Sequence, residues 1–228
     1  MRKERLLLFL VVIAIGLTGC LREGIDTIAL PFGKIPDGVI PQEIREQFEE
    51  YMPIYEGVTP PDITGEYLNR PDLLVFSSDG QFYPGYEFAP QYISFQNQTP
   101  SGMATYSEKQ ASSVADASEV YVVGSGNNFS AYFISNTTRY DDYGNVTSTC
   151  KTSTVLSGTV TEDGIENFRF AFVMLEKDDP YYQLMDVNEY RIFEDGDGLA
   201  IRYDWLKSSA DGEGKLPMYA NNKNLKIK

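Results

Sequence analysis

Phe168-Arg169-Phe170-Ala171-Phe172-Val173-Met174 and Leu199-Ala200-Ile201-Arg202-Tyr203-Asp204-Trp205 are the two stretches that decide the fold. Phe168, Phe170, Phe172 and Met174 share one parity, and Leu199, Ile201, Tyr203 and Trp205 share another. This is the period-two pattern of half-buried strands, because successive side chains on a pleated strand point to opposite faces. Working outward, Glu119–Gly124, Phe129–Tyr140, Val146–Glu162, Ile165–Glu176 and Asn188–Phe193 read the same way. Gly126-Asn127-Asn128, Asp142-Tyr143-Gly144-Asn145, Glu162-Asp163-Gly164 and Asp195-Gly196-Asp197-Gly198 separate them, with the Gly and Asn residues that tolerate the positive φ of tight hairpins.

Upstream, Ile63–Asn69 and Leu73–Phe76 read as strands, and Tyr92–Gln98 pairs with Met103–Gln110 across Thr99-Pro100-Ser101-Gly102. Short connections make sequence neighbours into sheet neighbours, so the expectation is an antiparallel up-and-down meander. About eight to ten strands of this kind close into a barrel, which removes exposed edges. A β-sandwich is the alternative with the same sequence pattern. Gln81–Pro90, punctuated by Pro84, Gly85 and Pro90, reads as an ordered loop that covers an open end or acts as a lid. Ala111–Ala117, small and polar, reads as a loop or one helical turn. One short helix is expected from Pro41 to Tyr51: Pro41 suits a first helical position, and Ile44, Phe48 and Tyr51 share a face until Met52-Pro53 stops it.

The chain has 228 residues with 13% aromatic content, of which 16 are tyrosine, enough large apolar area for one substantial core. Formal net charge is −14, and the first five residues carry +2, leaving −16 for the remainder. That excess repels nucleic acid, so no nucleic-acid partner is expected. With no histidine, Ser/His and Cys/His nucleophile pairs, His-ligated zinc and imidazole switching are excluded. Cys150 in the run Thr147–Thr154 reads as a small strand residue.

At the N-terminus, a basic head (Arg2, Lys3, Arg5) precedes an apolar run of twelve residues, Leu6–Leu17, which is short for a membrane span. It ends in Leu17-Thr18-Gly19-Cys20. This arrangement resembles the signal and lipobox of bacterial lipoproteins, and implies cleavage before Cys20 and lipidation of that residue. Several acyl chains, at about 0.8 kcal/mol per buried methylene, make such an anchor durable. Leu21 stands where an aspartate would imply inner-membrane retention, so the resemblance implies an outer-membrane address, periplasmic or surface-exposed. Asp26-Thr27-Ile28 resembles a short acceptor motif for O-linked sugars, which would place a glycan on Thr27. The expected organisation is a signal peptide over 1–19, a lipidated tether over 20–40, a helix over 41–56, a β-barrel over 57–206 and a C-terminal tail or edge strand over 207–228.

Gly65-Glu66-Tyr67 resembles the Gly-x-Trp opening of lipocalins and related calycin barrels, with Tyr in place of Trp. In that family a basic residue on the last strand packs over the ring, a position that Arg202 matches. The resemblance implies a lipocalin-like barrel over residues 57–206 and a ligand in its interior. Tyr67, Phe168, Phe170, Phe172, Met174 and Arg202 are the candidate ligand-binding residues; the Phe168–Met174 run either lines a cavity or fills it. Against a large apolar cavity, Thr147–Thr154 places polar side chains on both parities.

Glu194, Asp195 and Asp197 form a calcium-like cluster without the loop spacing calcium requires, and read as a turn, as does Asp178-Asp179-Pro180. No catalytic set, metal or cofactor is expected. Together the features imply an envelope lipoprotein that binds a small apolar or amphiphilic ligand without transforming it. An accessory subunit of an outer-membrane protein assembly and a carboxylate-based hydrolase are the alternatives. Replacing Cys20 with serine is predicted to move the protein from the membrane to the soluble fraction on cell fractionation; unchanged membrane retention contradicts the lipid anchor.

Overall fold

The computed structural model describes Ile40 and residues 42–203. Cys20, Thr27, Trp205 and the segment 207–228 lie outside the described residues. The helix α1 (Gln42–Tyr51) is followed by β1 (Val58–Thr59), β2 (Gly65–Asn69), β3 (Asp72–Ser77), β4 (Glu87–Phe88), β5 (Gln91–Gln96) and β6 (Met103–Gln110). Then come β7 (Ser113–Ser125), β8 (Asn128–Tyr140), β9 (Val146–Val160), β10 (Gly164–Asp178), β11 (Tyr190–Asp195) and β12 (Leu199–Arg202).

Pairing shows that several short strands are halves of longer ones. β11 and β12 together run antiparallel to β2 and β3, from Arg191 opposite Ser77 to Arg202 opposite Tyr67. On the other side, β4 and β5 run antiparallel to the same pair, from Glu87 opposite Leu73 to Phe95 opposite Gly65. The interruptions fall at Arg70-Pro71, Ala89-Pro90 and Gly196-Asp197-Gly198, where proline lacks a ladder donor or glycine permits a bend. Counted this way, eight antiparallel strands follow one another in chain order, and β12 pairs with both β10 and β2, so the hydrogen-bond circuit closes. The mainly β, up-and-down, barrel-like fold expected from the alternation is what the chain adopts. β1 adds a parallel pair, Val58 and Thr59 beside Gly124 and Ser125, at one end of β7.

At one end of the barrel, the turn end, lie the connections 97–102, 126–127 and 161–163; at the other, the loop end, lie 78–86, 111–112, 141–145 and 179–189. The interior of the turn half is apolar: Tyr67, Phe95, Phe129, Leu156, Ile165 and Phe168 are all buried in one cluster. Gly65 is required there, because a Cβ would stand 2.6 Å from Arg202 Nη1, and the guanidinium lies over the Tyr67 ring at 5.3 Å. The loop 78–86 folds inward, with Phe82, Tyr86 and Phe88 packed against the same core and the Asp79–Arg191 ion pair anchoring it.

A second apolar cluster lies on the outer face, where α1 covers the sheet. Phe48 is fully buried with its ring edge-on to Tyr190 at 5.7 Å, and Tyr51 packs on Phe76 at 5.0 Å. Arg169, outward on β10, donates to the Tyr51 carbonyl at the helix C-terminus and pairs with Glu194 at 2.5 Å. Odd and even positions of β10 thus serve two cores: Phe168 and Phe170 inside, Ala171 under the helix.

Two expectations are corrected. Ala111–Ala117 is no loop or helical turn: β7 begins at Ser113, and only the Ala111-Ser112 hairpin, with Ala111 at φ 48°, is a turn. The small residues have a packing reason, since Ala115 faces Glu108 and Ala117 faces Tyr106 across the pair, where larger side chains would collide. In β12 the apolar parity points outward, leaving Ile201 exposed, while Ala200 joins the interior cluster. Phe48→Ala is predicted to cost about 3–5 kcal/mol of unfolding free energy in chemical denaturation, as for other buried Phe truncations. A loss below about 1 kcal/mol contradicts the docked helix.

Candidate functional site

Following the inward positions from the turn end to the loop end, the barrel lining changes character. On β8, Phe129, Ala131 and Phe133 give way to Ser135 and Thr137; on the paired β9, Leu156 gives way to Thr154, Thr152, Cys150 and Ser148. Cross-strand partners share a face, so these residues line the same interior. β6 contributes Glu108 and Gln110, β5 Gln91, β2 Asn69 and β3 Asp72.

These polar side chains are wired together. Asn69 Nδ2 donates to Asp72 Oδ1 at 3.1 Å and to Gln91 Oε1 at 3.2 Å, and Gln110 Nε2 donates to Asp72 Oδ2 at 2.7 Å. Tyr106 Oη donates to Glu108 Oε2 at 2.5 Å, and Gln91 also bonds Glu108. Across the barrel, Ser135 and Thr152 hydroxyls meet at 2.8 Å and Thr152 and Thr154 at 3.1 Å. Four buried side-chain atoms among the described residues have no partner; Asn69 Oδ1 and Ser148 Oγ lie in this half, Tyr132 Oη and Ser157 Oγ on the outward parity. Burying such groups unpaired is costly, and in this half the cost comes together with a lining of hydroxyls, amides and carboxyls.

Burial dominates the electrostatics. It pushes the Asp72 carboxyl up to about 7 against the hydrogen bonds from Gln110 and Asn69, with the charges of Glu108 and Asp195 adding to the rise. Glu108 is raised by burial too, opposed by Tyr106 and Gln91, and the Tyr106 phenol is raised well above its usual value. Asp195, at the break between β11 and β12, is pushed up to about 6 by burial and by Asp197. Glu108 is part-buried and keeps accessible surface beside the girdle.

The sequence-predicted ligand residues fall into separate places. Tyr67, Arg202 and Phe168 sit in the turn half, where Tyr67 and Phe168 are buried in the packed cluster. Phe170 and Phe172 stack at 6.5 Å beside Phe193, which lies 4.6 Å from Phe170, at the border between the two halves. Met174 is buried opposite Thr152 in the polar half. Sequence reasoning did not find the girdle of Asn69, Asp72, Gln91, Glu108 and Gln110. Its visible signal was the polar residues on the core-facing parity of β5, β6 and β9. Of the acidic cluster, Glu194 and Asp195 end β11 and Asp197 lies in the turn that follows, where Asp195 Oδ1 accepts from the Asp197 and Leu199 amides at 3.2 and 3.1 Å.

The rim of the loop end is aromatic. Tyr83, Tyr143, Tyr181 and Tyr182 are exposed on three of its connections, with Val146 and Val187 beside them. Among the described residues no helix is long and apolar enough to cross a membrane. No protein-family model, no curated protein and no solved structure matches the chain.

The folded-state values of Asp72, Asp195 and Glu108 lie above those of the unfolded chain. Their stabilisation is therefore complete below the unfolded carboxylate range and is lost as pH rises through about 6 for Asp195 and about 7 for Asp72. Asp79 and Asp62 are held below their usual values, so their contribution is lost only when pH falls through the acid range, which sets the lower bound. The melting temperature is predicted to rise on going from about pH 8 to about pH 5. At about 1.4 kcal/mol per unit, the Asp72 shift is worth on the order of 4 kcal/mol, and Asp72→Asn flattens the profile by that share. A melting temperature that falls over this interval contradicts the buried carboxyls.

Proposed function

We propose that the chain is a lipid-anchored, lipocalin-like barrel of the bacterial cell envelope, held at the outer membrane through Cys20, which binds a small amphiphilic molecule without transforming it. The ligand sits in the loop-end half of the interior. Its polar group meets the girdle of Asn69, Gln91 and Glu108, and its apolar part lies toward Phe172 and Phe193. The observation that carries this reading is the switch from apolar to polar inward residues, with Asn69 Oδ1 and Ser148 Oγ left without partners. Interiors that only fill space avoid such a lining, whereas ligand sites combine apolar walls with a few convergent polar groups. The Arg202 guanidinium over the Tyr67 ring, with Gly65 making room, supports the lipocalin-like relationship.

Native mass spectrometry of the protein released gently from membranes tests this reading. The expected spectrum carries a small-molecule adduct that is lost in Thr152→Phe, which fills the polar half. A barrel that never carries an adduct, from any extraction, contradicts it. The exposed tyrosine rim favours a second reading, an accessory subunit docked to an envelope protein through the loop end. That reading requires a stoichiometric partner in crosslinking, lost when Tyr143 and Tyr182 are replaced by serine.

A further inference from the structure

The hydrogen-bond inventory of the girdle is lopsided. Every donor for which a partner is seen is spent: the Asn69 amide on Asp72 and Gln91, the Gln110 amide on Asp72 and the Ala89 carbonyl at 2.9 Å, and the Tyr106 hydroxyl on Glu108. What remains is acceptor capacity, on Asn69 Oδ1 and on the two carboxyl groups. Asp72 and Glu108 have only neutral donors around them; among the described residues neither makes an ion pair. Three cations at the loop end are committed elsewhere, and Lys109 stands on the strand parity opposite to Glu108. Lys177 holds Asp186 at 2.8 Å and the Leu184 carbonyl at 3.3 Å, Arg191 holds Asp79 beneath Phe82, and Arg139 is drawn to Asp179. No three acidic or thiol side chains among the described residues converge as a metal-ligand group, so compact ion coordination is not the pattern on offer.

From this inventory we propose that the girdle of Asn69, Asp72 and Glu108 receives the protonated amino group of a small cationic ligand entering from the loop end. The inference rests on the barrel interior being a ligand site and names the chemical class that site selects. An ammonium group brings three donors and the positive charge the two acids lack, and it leaves no acceptor of its own to satisfy. Glu108, which keeps accessible surface, is the first contact; Asn69 and Asp72, fully buried, form the floor behind it. Asp141, Asp142 and Asp179 on the loop-end connections and Asp178 at the end of β10, in a chain of net charge −14, steer a cation toward the loop end. Occupancy shifts Glu108 toward its ionised form, so uptake is accompanied by proton release below neutral pH.

Benzylammonium, benzyl alcohol and benzoate share one ring and differ in the group presented to the girdle. Their binding to the full-length protein is measured by isothermal titration calorimetry. The expected order is benzylammonium tightest, by about tenfold over the alcohol, with benzoate weakest, and the ammonium affinity rises by up to about tenfold per pH unit where a carboxyl must lose its proton. Glu108→Gln is expected to bring the ammonium to within about twofold of the alcohol, with Asp72→Asn as the parallel variant. The comparison of three probes on the unaltered protein needs no variant to fold. Alcohol or benzoate binding as tightly as the ammonium overturns the cation proposal while leaving the barrel a ligand carrier. Silence from all three probes also overturns it; in that case an adduct in native mass spectrometry keeps the carrier reading, and absence of an adduct removes both.

Discussion

Closure of the strand circuit is the constraint on which the remaining structure depends. Once β12 bonds to both β10 and β2, every second residue of the eight strands is committed to a single shared interior. A polar group on the inner face of an open sheet can reach water past an edge; inside a closed barrel no edge is left. The chain solves the two halves differently. Aromatic and branched side chains fill the turn half, and the stack of Phe170, Phe172 and Phe193 marks where that solution stops. Beyond it, hydroxyls and amides bond one another, and Glu108 keeps accessible surface.

Apolar burial and polar wiring are thereby separated along the barrel axis. The turn half and the helix-covered outer face carry the apolar burial, so the loop half can hold buried carboxyl groups that lower stability when ionised. Proteins concentrate such unfavourable groups where a ligand compensates them. Phe82 and Tyr86, carried inward on the loop 78–86, shield one flank of the opening, while the exposed tyrosines on the other connections surround it with side chains that suit both apolar and polar contacts.

The strands were readable because alternation survives on one face even when the other is mixed: Phe168, Phe170 and Phe172 declare an inside without any knowledge of their neighbours. The α1 helix was readable from its Ile44, Phe48 and Tyr51 face and its proline stop. The strand beginning at Ser113 was not, because its inward residues are alanines chosen to complement Tyr106 and Glu108, and complementarity is visible only after pairing. The girdle was hidden for the same reason. Asn69, Asp72, Gln91 and Glu108 come from four strands spread over 40 positions, and nothing local announces that they meet. The Phe168–Met174 run stood out in the sequence as apolar alternation, whereas polar residues on core-facing positions stand out only once the strands are paired.

Whether solvent and small molecules reach the polar half from the loop end is decided most directly at Cys150, half-buried on the inward face of β9 beside Thr137. Among the described residues it is the free cysteine. Its labelling by methyl methanethiosulfonate, followed by mass spectrometry across low denaturant concentrations, reports access. An open lumen predicts a rate proportional to reagent and insensitive to denaturant, slower than for an unfolded thiol because burial raises the Cys150 pKa. A rate that climbs with denaturant in step with global unfolding would mean that the interior is sealed, and would contradict the account.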